Sequence, residues 1–198
     1  MDPGSISHLL DEFRLLPTSV ICDVMDRFGA LDAEIKPVWS GASLCGLIST
    51  VWTREGDNLG IHRSLDRAQP GRVLVVAGGG QTYRALLGDL IAERARNQGI
   101  AGFVVDGSVR DVPGIRAAEL PVFARGVNSA GPYKNGPYRL GEPVAVGGAV
   151  ANEGDLICGD ADGVVVVPRL GAEEVLLRAQ RKHTQEAETR VALIAART

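Results

Sequence analysis

A chain of 198 residues, 45% hydrophobic and 23% charged, is long enough to bury a proper core and has the composition of a globular protein. Its formal net charge of -3 and its scattered Lys and Arg residues leave no basic patch, which argues against a nucleic-acid-binding protein. No apolar run approaches the roughly 20 residues of a membrane span, and the first residues lack the pattern of a signal peptide, so we expect no membrane association.

The three cysteines, Cys22, Cys45 and Cys158, are odd in number and far apart in sequence. This usage is typical of reduced thiols in the cytoplasm, and it argues against a disulfide framework or a zinc knuckle. Cys22 and Cys158 stand among apolar residues, so we interpret them as small core residues rather than nucleophiles.

The first predicted element is a helix over residues 16–29, LPTSVICDVMDRFG. Apolar residues at helical spacing are Val20, Val24 and Phe28. Thr18 or Ser19 can cap its start, and Gly29 can supply a left-handed stop.

Two glycine-punctuated segments then predict strands. Residues 40–53 are rich in β-branched side chains, and residues 71–80, GRVLVVAGGG, predict a buried strand that enters a glycine loop. The glycines lack the G-x-G-x-x-G spacing, and no lysine follows them as in a P-loop. We therefore interpret the loop as a tight turn beside a substrate pocket rather than a nucleotide site.

A helix from Asp89 to Gln98, with Gly99 as its stop, precedes a buried strand over 101–106. A ten-residue helix advances roughly 15 Å, and the strand returns roughly 17 to 20 Å. The two lengths nearly cancel, so Arg110 and Asp111 are expected at the edge of the sheet where the helix begins. In parallel α/β units that edge binds ligands.

The residues predicted at this edge have a common chemistry. Gly88 lets a ligand approach the backbone, the unpaired N–H groups of Leu90 and Ile91 suit an anion, and Arg110 adds a planar fork that matches a carboxylate. Asp111, with Asp89 and Asp106 nearby, offers oxygen ligands to a Mg²⁺-type ion. Anion clamp and divalent ion together can stabilise an enolate beside a carboxylate.

Ordinary structural roles are the alternative for these polar residues. Asp89 can be only a helix N-cap, and Arg110 and Asp111 only a solvated turn with a local ion pair. His62 can line the site as an acid or base, although a histidine on a helix surface is the commoner case. His183 stands among charges and is expected in solvent.

The second half predicts strands and then one helix. Residues 120–126 are a short strand, and residues 143–168 read as several strands joined by turns, with Asp162-Gly163 as a hairpin signal. From Gly171 onward the pattern is a long amphipathic helix. The whole predicts an α/β sandwich: a central mixed, barrel-like sheet flanked by helices, with a long C-terminal helix.

Two further motifs in this half are interpreted as structural. The second copy of Gly-Asp-Leu-Ile, at 154–157, leads into a strand and so lacks the backbone donors of the first copy. The GDADG segment at 159–163 lacks the later acidic ligands of a calcium loop and is interpreted as a turn.

The spacing of Asp89, twenty further residues and Arg110-Asp111 resembles the signature of the RraA-like family. The family includes class II 4-hydroxy-4-methyl-2-oxoglutarate aldolases and the regulator of ribonuclease E activity. Other similar blocks occur in the same order: TSVICDVMDRFG, PGRVLVVAGGG, PVFARG and GDADGVVVVP. The likeness covers nearly the whole chain and implies a single RraA-like domain over residues 1–198.

The resemblance implies a site and a reaction. The substrate-binding residues would be Gly88, Asp89, Leu90, Ile91 and Arg110. Arg110 would hold the carboxylate and keto oxygen of a pyruvate moiety, Asp111 would ligate Mg²⁺ or Mn²⁺, and Asp89 would contact metal-bound water, so that Arg110 and Asp89 would act in catalysis. The reaction would be retro-aldol cleavage of a 4-hydroxy-2-oxo diacid through the pyruvate enolate, with oxaloacetate decarboxylation as a side activity.

The resemblance also leaves alternatives open. The motif is shared with the ribonuclease regulator, so a non-catalytic protein-binding role stays possible, as does a main activity as an oxaloacetate decarboxylase. No Schiff-base lysine is needed, and Lys36, Lys134 and Lys182 are expected outside the site. A homotrimer or hexamer is expected.

Overall fold

The computed structural model describes residues 3–197. Its helices are α1 Pro3–Phe13, α2 Thr18–Val24, α3 Leu59–Leu65, α4 Asp89–Asn97, α5 Val112–Ala117 and α6 Ala172–Ala195. Its strands are β1 Lys36–Pro37, β2 Leu44–Thr53, β3 Arg72–Ala77, β4 Ala85–Leu87, β5 Gly102–Val109, β6 Val122–Val127, β7 Tyr138–Leu140, β8 Val144–Val146, β9 Ala149–Ala151, β10 Leu156–Gly159 and β11 Val164–Val167. Within this range every helix falls short of the length and apolarity that a bilayer span requires.

Nine of the strands form one mixed sheet. Its order is β1-β6-β5-β3-β2-β10-β11, with β4 added beside β5 and β7 beside β2. The pairs among β2, β3, β5 and β6 are parallel, whereas β1, β7, β10 and β11 join antiparallel. The sheet is nearly closed, and the hairpin β8–β9 lies apart from it. The predicted mixed, barrel-like sheet with flanking helices is therefore confirmed.

Both faces of the central strand β3 are buried, which explains its unbroken apolar run. Leu74 and Val76 belong to the core that packs under α3, α4 and α5. Val73 and Val75 point the other way, into the core shared with β8, β9 and β10. A third apolar cluster packs α1, α2 and α6 on the outer side of β2, β10 and β11.

The helix and strand around the candidate site follow the sequence closely. Helix α4 spans Asp89–Asn97 with Gln98 as its C-cap, and Gly99 follows with a positive φ of 73°, as a left-handed stop requires. Strand β5 was predicted to end at Asp106 but continues to Val109, because Ser108 and Val109 still pair with β6. The predicted Asp162-Gly163 turn joins β10 to β11, and α6 begins directly after Gly171.

The first predicted helix is shorter than its apolar spacing suggested. Helix α2 ends at Val24, and Phe28 is 76% exposed instead of sharing its buried face. Asp26 and Arg27 both adopt positive φ values, which cannot continue a right-handed helix.

The capping prediction for this helix was also wrong. Pro17 is the N-cap, and neither Thr18 nor Ser19 caps with its side chain. The backbone N–H and the hydroxyl of Thr18 donate instead to Asp160 of the β10–β11 turn, at 2.8 and 2.7 Å.

The cysteines are distributed differently from the sequence expectation. Cys158 is buried as predicted, whereas Cys22 is only half-buried. Cys45 and Cys158, which are far apart in sequence, are neighbours in the fold.

Candidate functional site

The segments that carry Gly88 and Arg110 leave the sheet side by side. Strands β4 and β5 are parallel, with Leu87 paired to Val109. The N–H of Arg110 then donates to the carbonyl oxygen of Leu87 at 3.0 Å. The return of Arg110 and Asp111 to the start of α4, expected from the helix and strand lengths, is present in the structure.

A cavity of about 280 Å³ opens at this edge of the sheet. Its lining residues are Asn58, His62, Leu87, Gly88, Asp89, Leu90, Ile91, Arg110, Asp111, Pro132 and Lys134. All six residues predicted for the site are among them. Their placement around one cavity is thus observed, while their roles in binding and catalysis stay predictions.

Gly88 is required by close packing rather than by its backbone angles. Its φ of -140° is open to any residue. A Cβ at this position would overlap the Oδ2 atom of Asp111 and would lie 3.2 Å from the Cγ atom of Arg110. The absence of a side chain at residue 88 therefore lets the Arg110-Asp111 segment reach the start of α4.

One of the free backbone N–H groups at the start of α4 is hydrogen-bonded to the side chain of Asp89. The helix begins its internal hydrogen bonds with Ala92 N–H to the Gly88 carbonyl, at 3.1 Å. The Leu90 N–H, predicted to be unpaired, donates to Oδ1 of Asp89 at 2.7 Å. Gly88 is the N-cap, so Asp89 is not the cap but the first helical residue. Ile91 is therefore the first-turn residue whose N–H best suits an incoming anion.

Asp89 is held from its other side by helix α5. A Cβ on Gly114 would lie 2.5 Å from the Cβ of Asp89 and 2.9 Å from its Oδ2. Gly114 thus gives the Asp89 side chain the room it occupies beside the cavity. The carboxylate accepts a hydrogen bond from the Leu90 N–H, and Asp89 lines the cavity.

Asp111 occupies a strained backbone position. Its φ and ψ of 57° and 40° are left-handed, a conformation that costs most non-glycine residues roughly 1 to 2 kcal/mol and that Asp and Asn tolerate best. It is the N-cap of α5, yet its side chain makes no capping hydrogen bond. Its Oδ2 atom lies 3.2 Å from Nε of Arg110, and both side chains are 43% exposed. Strain of this kind often marks a functional position, and here it leaves a carboxylate facing the cavity.

The Arg110 guanidinium group lies against the backbone of a loop. A Cβ on Gly131 would lie 2.9 Å from its Nη1 atom, so this glycine leaves the space that the group occupies. The ion pair with Asp111 uses Nε and is half-exposed, so it is weak. The terminal nitrogens of Arg110 can therefore bind a carboxylate in the cavity.

Three further polar residues line the cavity, and of these the sequence had suggested only His62, as the alternative to a histidine on a helix surface. Asn58 is the N-cap of α3, His62 lies in the middle of that helix, and Lys134 comes from the loop between β6 and β7. The expectation that no lysine lies in the site was wrong, because the loop 128–137 folds back over α3. Asn58 N–H donates to the Tyr133 carbonyl at 2.9 Å, which places Lys134 beside the helix.

The carboxylate of Asp57 fastens this loop. It is fully buried and accepts hydrogen bonds from the backbone N–H groups of Asn135 and Gly136, at 2.6 and 3.0 Å, and of Leu59 at 2.9 Å. Burial raises the pKa of Asp57, but these backbone donors outweigh it and leave the pKa below its ordinary value. Asp57 is thus a charged anchor that positions the Lys134 segment.

Two side chains beside this loop have distinctive states. Asn58 is 4% exposed, and among residues 3–197 its Oδ1 atom has no hydrogen-bond partner, although it lines the cavity. Burial, and then the positive charges of Lys134 and Arg94, lower the pKa of His62. His62 is therefore neutral near pH 7 and can accept a hydrogen bond or a proton.

Asp106 lies outside the cavity, contrary to the expectation that it accompanies Asp89 and Asp111. Its carboxylate is buried and paired with Arg125, and it accepts a hydrogen bond from Gly147 N–H at 3.1 Å. Because β5 continues to Val109, Asp106 lies within the strand and not at its end. Its side chain faces the interior of the barrel-like sheet, where Arg125 and Gly147 are its partners.

The donor set suits a hard cation that keeps most of its water. No three His, Cys, Asp or Glu side chains of residues 3–197 converge on one point, so a site made only of protein ligands is absent there. Mg²⁺ commonly takes one or two carboxylates and several waters. The Asp111 carboxylate fits such an ion. It is half-exposed, makes no capping hydrogen bond to α5, and lines the same cavity as Asp89.

A family model described as RraA-like, Aldolase/RraA, matches residues 18–166. The chain belongs to the RraA-like family. One RraA-like relative, from Halalkalibacterium halodurans, is 38% identical over 177 residues, which cover 89% of this chain and 84% of the relative. Its provisional name is 4-hydroxy-4-methyl-2-oxoglutarate aldolase.

Solved RraA-like structures share the fold. RraAS2 of Streptomyces coelicolor, described as an unusual member of the RNase ES inhibitor RraA family, matches with a TM-score of 0.82 and 28% identity, over 93% of this chain and 98% of that one. The RNA-processing inhibitor RraA of Thermus thermophilis matches with a TM-score of 0.70 and 30% identity, over 77% of this chain and 92% of that one.

Proposed function

We propose that this protein is a divalent-metal-dependent lyase, a class II aldolase that cleaves 4-hydroxy-4-methyl-2-oxoglutarate or a similar 4-hydroxy-2-oxo diacid to pyruvate. The observation that carries the proposal is the distribution of charge around one cavity. Arg110, Asp111 and the start of α4 line it from the β5–α4 edge, and Lys134, Asn58 and His62 line it from α3 and the loop after β6. A small substrate with an anionic group at each end matches this arrangement.

The pyruvate end of the substrate is assigned to Arg110 and α4. The guanidinium group binds the carboxylate and the keto oxygen, and the N–H of Ile91 adds a backbone donor at the positive end of the helix. Gly88 leaves room for the Arg110-Asp111 segment at the start of this helix, since a Cβ there would overlap the Asp111 carboxylate. Binding both oxygens of the 2-oxo acid fixes the bond to be broken relative to the site.

Asp111 would hold Mg²⁺ or Mn²⁺ directly, with Asp89 hydrogen-bonded to its water. Such an ion supplies Lewis-acid stabilisation of the negative charge that develops on the keto oxygen. Oxaloacetate decarboxylation generates the same pyruvate enolate, so we expect it as a side activity. Arg110 contributes fixed positive charge next to that oxygen in both reactions.

Lys134 is assigned to the distal carboxylate. Its ammonium group supplies the positive charge that the far end of a diacid requires, and Asp57 holds its loop in place. A lysine in the cavity also permits Schiff-base chemistry, which the metal-dependent proposal excludes. Reduction with borohydride in the presence of substrate distinguishes the metal-dependent mechanism from the Schiff-base mechanism. We expect no covalent adduct on Lys134.

The test of the proposal is pyruvate release from 4-hydroxy-4-methyl-2-oxoglutarate and, separately, from oxaloacetate, with Mg²⁺ and with a chelator. Release from the first substrate that the chelator abolishes supports the aldolase. A much faster release from oxaloacetate would instead make decarboxylation the main activity. No release from either by folded, metal-supplied protein would contradict the lyase.

The similarity to the two RraA inhibitors of RNA processing favours one second candidate, a protein-binding regulator. The two functions differ in their dependence on the cavity. If the protein is a regulator, the wild type and the Asp111→Asn variant should bind an RNA-degrading enzyme equally well. If it is a lyase, the Asp111→Asn variant should lose its activity.

A homotrimer or hexamer is proposed for either function, and light scattering measures the oligomeric state. The 81% exposed Leu90 beside the cavity supports coverage by a neighbouring subunit.

A further inference from the structure

Cys45 of β2 and Cys158 of β10 face each other across two antiparallel strands. Their Sγ atoms are 3.3 Å apart, with the Cys158 thiol placed to donate to the Cys45 sulfur. Both side chains point to the outer side of the sheet, under α1, α2 and α6. Two thiols that are 113 residues apart in sequence thus form a pair in the fold.

The register of the two strands suits a covalent bond between these sulfurs. Ile48 N–H donates to the Asp155 carbonyl at 2.8 Å, so that pair is a hydrogen-bonded one. Pairs alternate along an antiparallel ladder, which makes Cys45 and Cys158 a non-hydrogen-bonded pair with a Cα separation of about 4.5 Å. Disulfides span Cα separations of about 4.4 to 6.8 Å. The sulfurs can therefore close to bonding distance with little backbone movement.

A small reagent can reach the pair through a cavity. Cys45 and Cys158 are 5% and 3% exposed, yet both line a cavity of about 490 Å³. Arg14, Asp160 and Ala101 line it as well. Ala101 directly precedes β5, so this cavity opens at the amino end of that strand, opposite the candidate site at its carboxyl end.

We propose that Cys45 and Cys158 are a modification site that forms a reversible intramolecular disulfide by exchange with a low-molecular-weight disulfide. The Cys45 thiolate attacks one sulfur of the reagent, which forms a mixed disulfide and releases one thiolate. Cys158 then loses its proton and attacks Cys45 Sγ, which releases the second thiol. The protein gives up two electrons and two protons, and the reagent is reduced to two thiols.

The surroundings assign the first attack to Cys45. The hydrogen bond from Cys158 lowers the pKa of the Cys45 thiol, and Arg14 nearby lowers it further against the effect of burial. The same hydrogen bond and burial raise the pKa of Cys158. Cys45 is therefore the thiol of the pair that ionises more readily and attacks first, and Cys158 is the resolving thiol.

The experiment exposes the reduced protein to oxidised glutathione, stops the exchange with acid, and then alkylates the remaining thiols in denaturant at neutral pH. The expected result is a fall from three alkylated cysteines to one, with a peptide that joins Cys45 to Cys158 and an alkylated Cys22. Dithiothreitol should restore all three. Full alkylation of wild type after prolonged exposure, or a cross-link that includes Cys22, would overturn the proposal.

Variants test the order of attack. Cys22→Ser is the matched control and should form the same cross-link at the same rate. Cys158→Ser should stop at a glutathione adduct on Cys45, and Cys45→Ser should lose the cross-link. A stable adduct on Cys45 in wild type, with Cys158 still free, would contradict resolution by Cys158. The peptide map of wild type decides the question even where a variant fails to fold.

Discussion

Gly88 and Asp111 are packed so closely that a single methyl group on residue 88 would overlap the Asp111 carboxylate. This contact joins the two ends of a continuous segment that runs down α4 and back along β5. It also brings the start of a helix, which favours anions, next to an acid that suits a cation. The candidate chemistry depends on both being available at the same point.

The variant Gly88→Ala should therefore reduce activity by at least about tenfold, since the Cβ displaces Asp111 and Arg110. Its backbone angles are open to alanine, so the helix should still form and the unfolding midpoint should change little. Steady-state kinetics and thermal unfolding measure the two effects. Wild-type activity in a folded Gly88→Ala protein would show that the contact does not shape the site.

Replacing Asp111 by Asn should abolish metal-dependent turnover and leave the fold intact. Asn keeps the size of the side chain and tolerates the left-handed conformation at residue 111, but it removes the charge that a divalent ion requires. Asp111→Ala should lose the activity too. It should also unfold at lower temperature, because alanine tolerates the left-handed conformation less well than Asp or Asn. Mn²⁺ binding by calorimetry, with Asp162→Asn as a surface control, checks the assignment independently of activity.

Lys134→Met should raise KM for 4-hydroxy-4-methyl-2-oxoglutarate by about tenfold or more while changing kcat less, since the lost charge binds the distal carboxylate. Lys36→Met is a matched control, because Lys36 donates to the Asp162 carbonyl far from this cavity and should leave KM unchanged. A loss confined to kcat, together with a borohydride-trapped adduct in wild type, would indicate a Schiff base instead.

The sequence predicted the Gly88–Asp111 half of the site because all of its residues lie within one helix-and-strand unit. Lys134 and Asn58 were not brought together in the same way. They are brought together by backbone hydrogen bonds between residues 56–58 and residue 133, and no local sequence pattern predicts these hydrogen bonds. The same holds for Cys45 and Cys158, whose pairing depends on strand register. Local periodicity also overestimated α2, because it does not report the positive φ values of Asp26 and Arg27.

The lowered pKa of His62 predicts a loss of stability in mild acid. Burial, Lys134 and Arg94 disfavour the protonated imidazole in the folded state, while in the unfolded chain it titrates near 6.5. Below about pH 6.5 the unfolded state therefore binds more protons, and the free energy of unfolding falls as the pH drops towards the lowered pKa. Above about pH 6.5 His62 is neutral in both states, and its protonation no longer lowers the free energy of unfolding.

His62→Gln should remove part of this pH dependence, because glutamine has no charge to acquire. The measurement is urea unfolding of wild type and variant at several values between pH 5 and about 8. The difference between them should shrink or reverse in favour of the variant as the pH falls below about 6.5. His183→Gln, on helix α6 and outside this cavity, is the matched control for the loss of a histidine. Parallel curves for wild type and His62→Gln would mean that His62 is protonated without penalty, and it would then be a cation in the cavity near pH 6 and below.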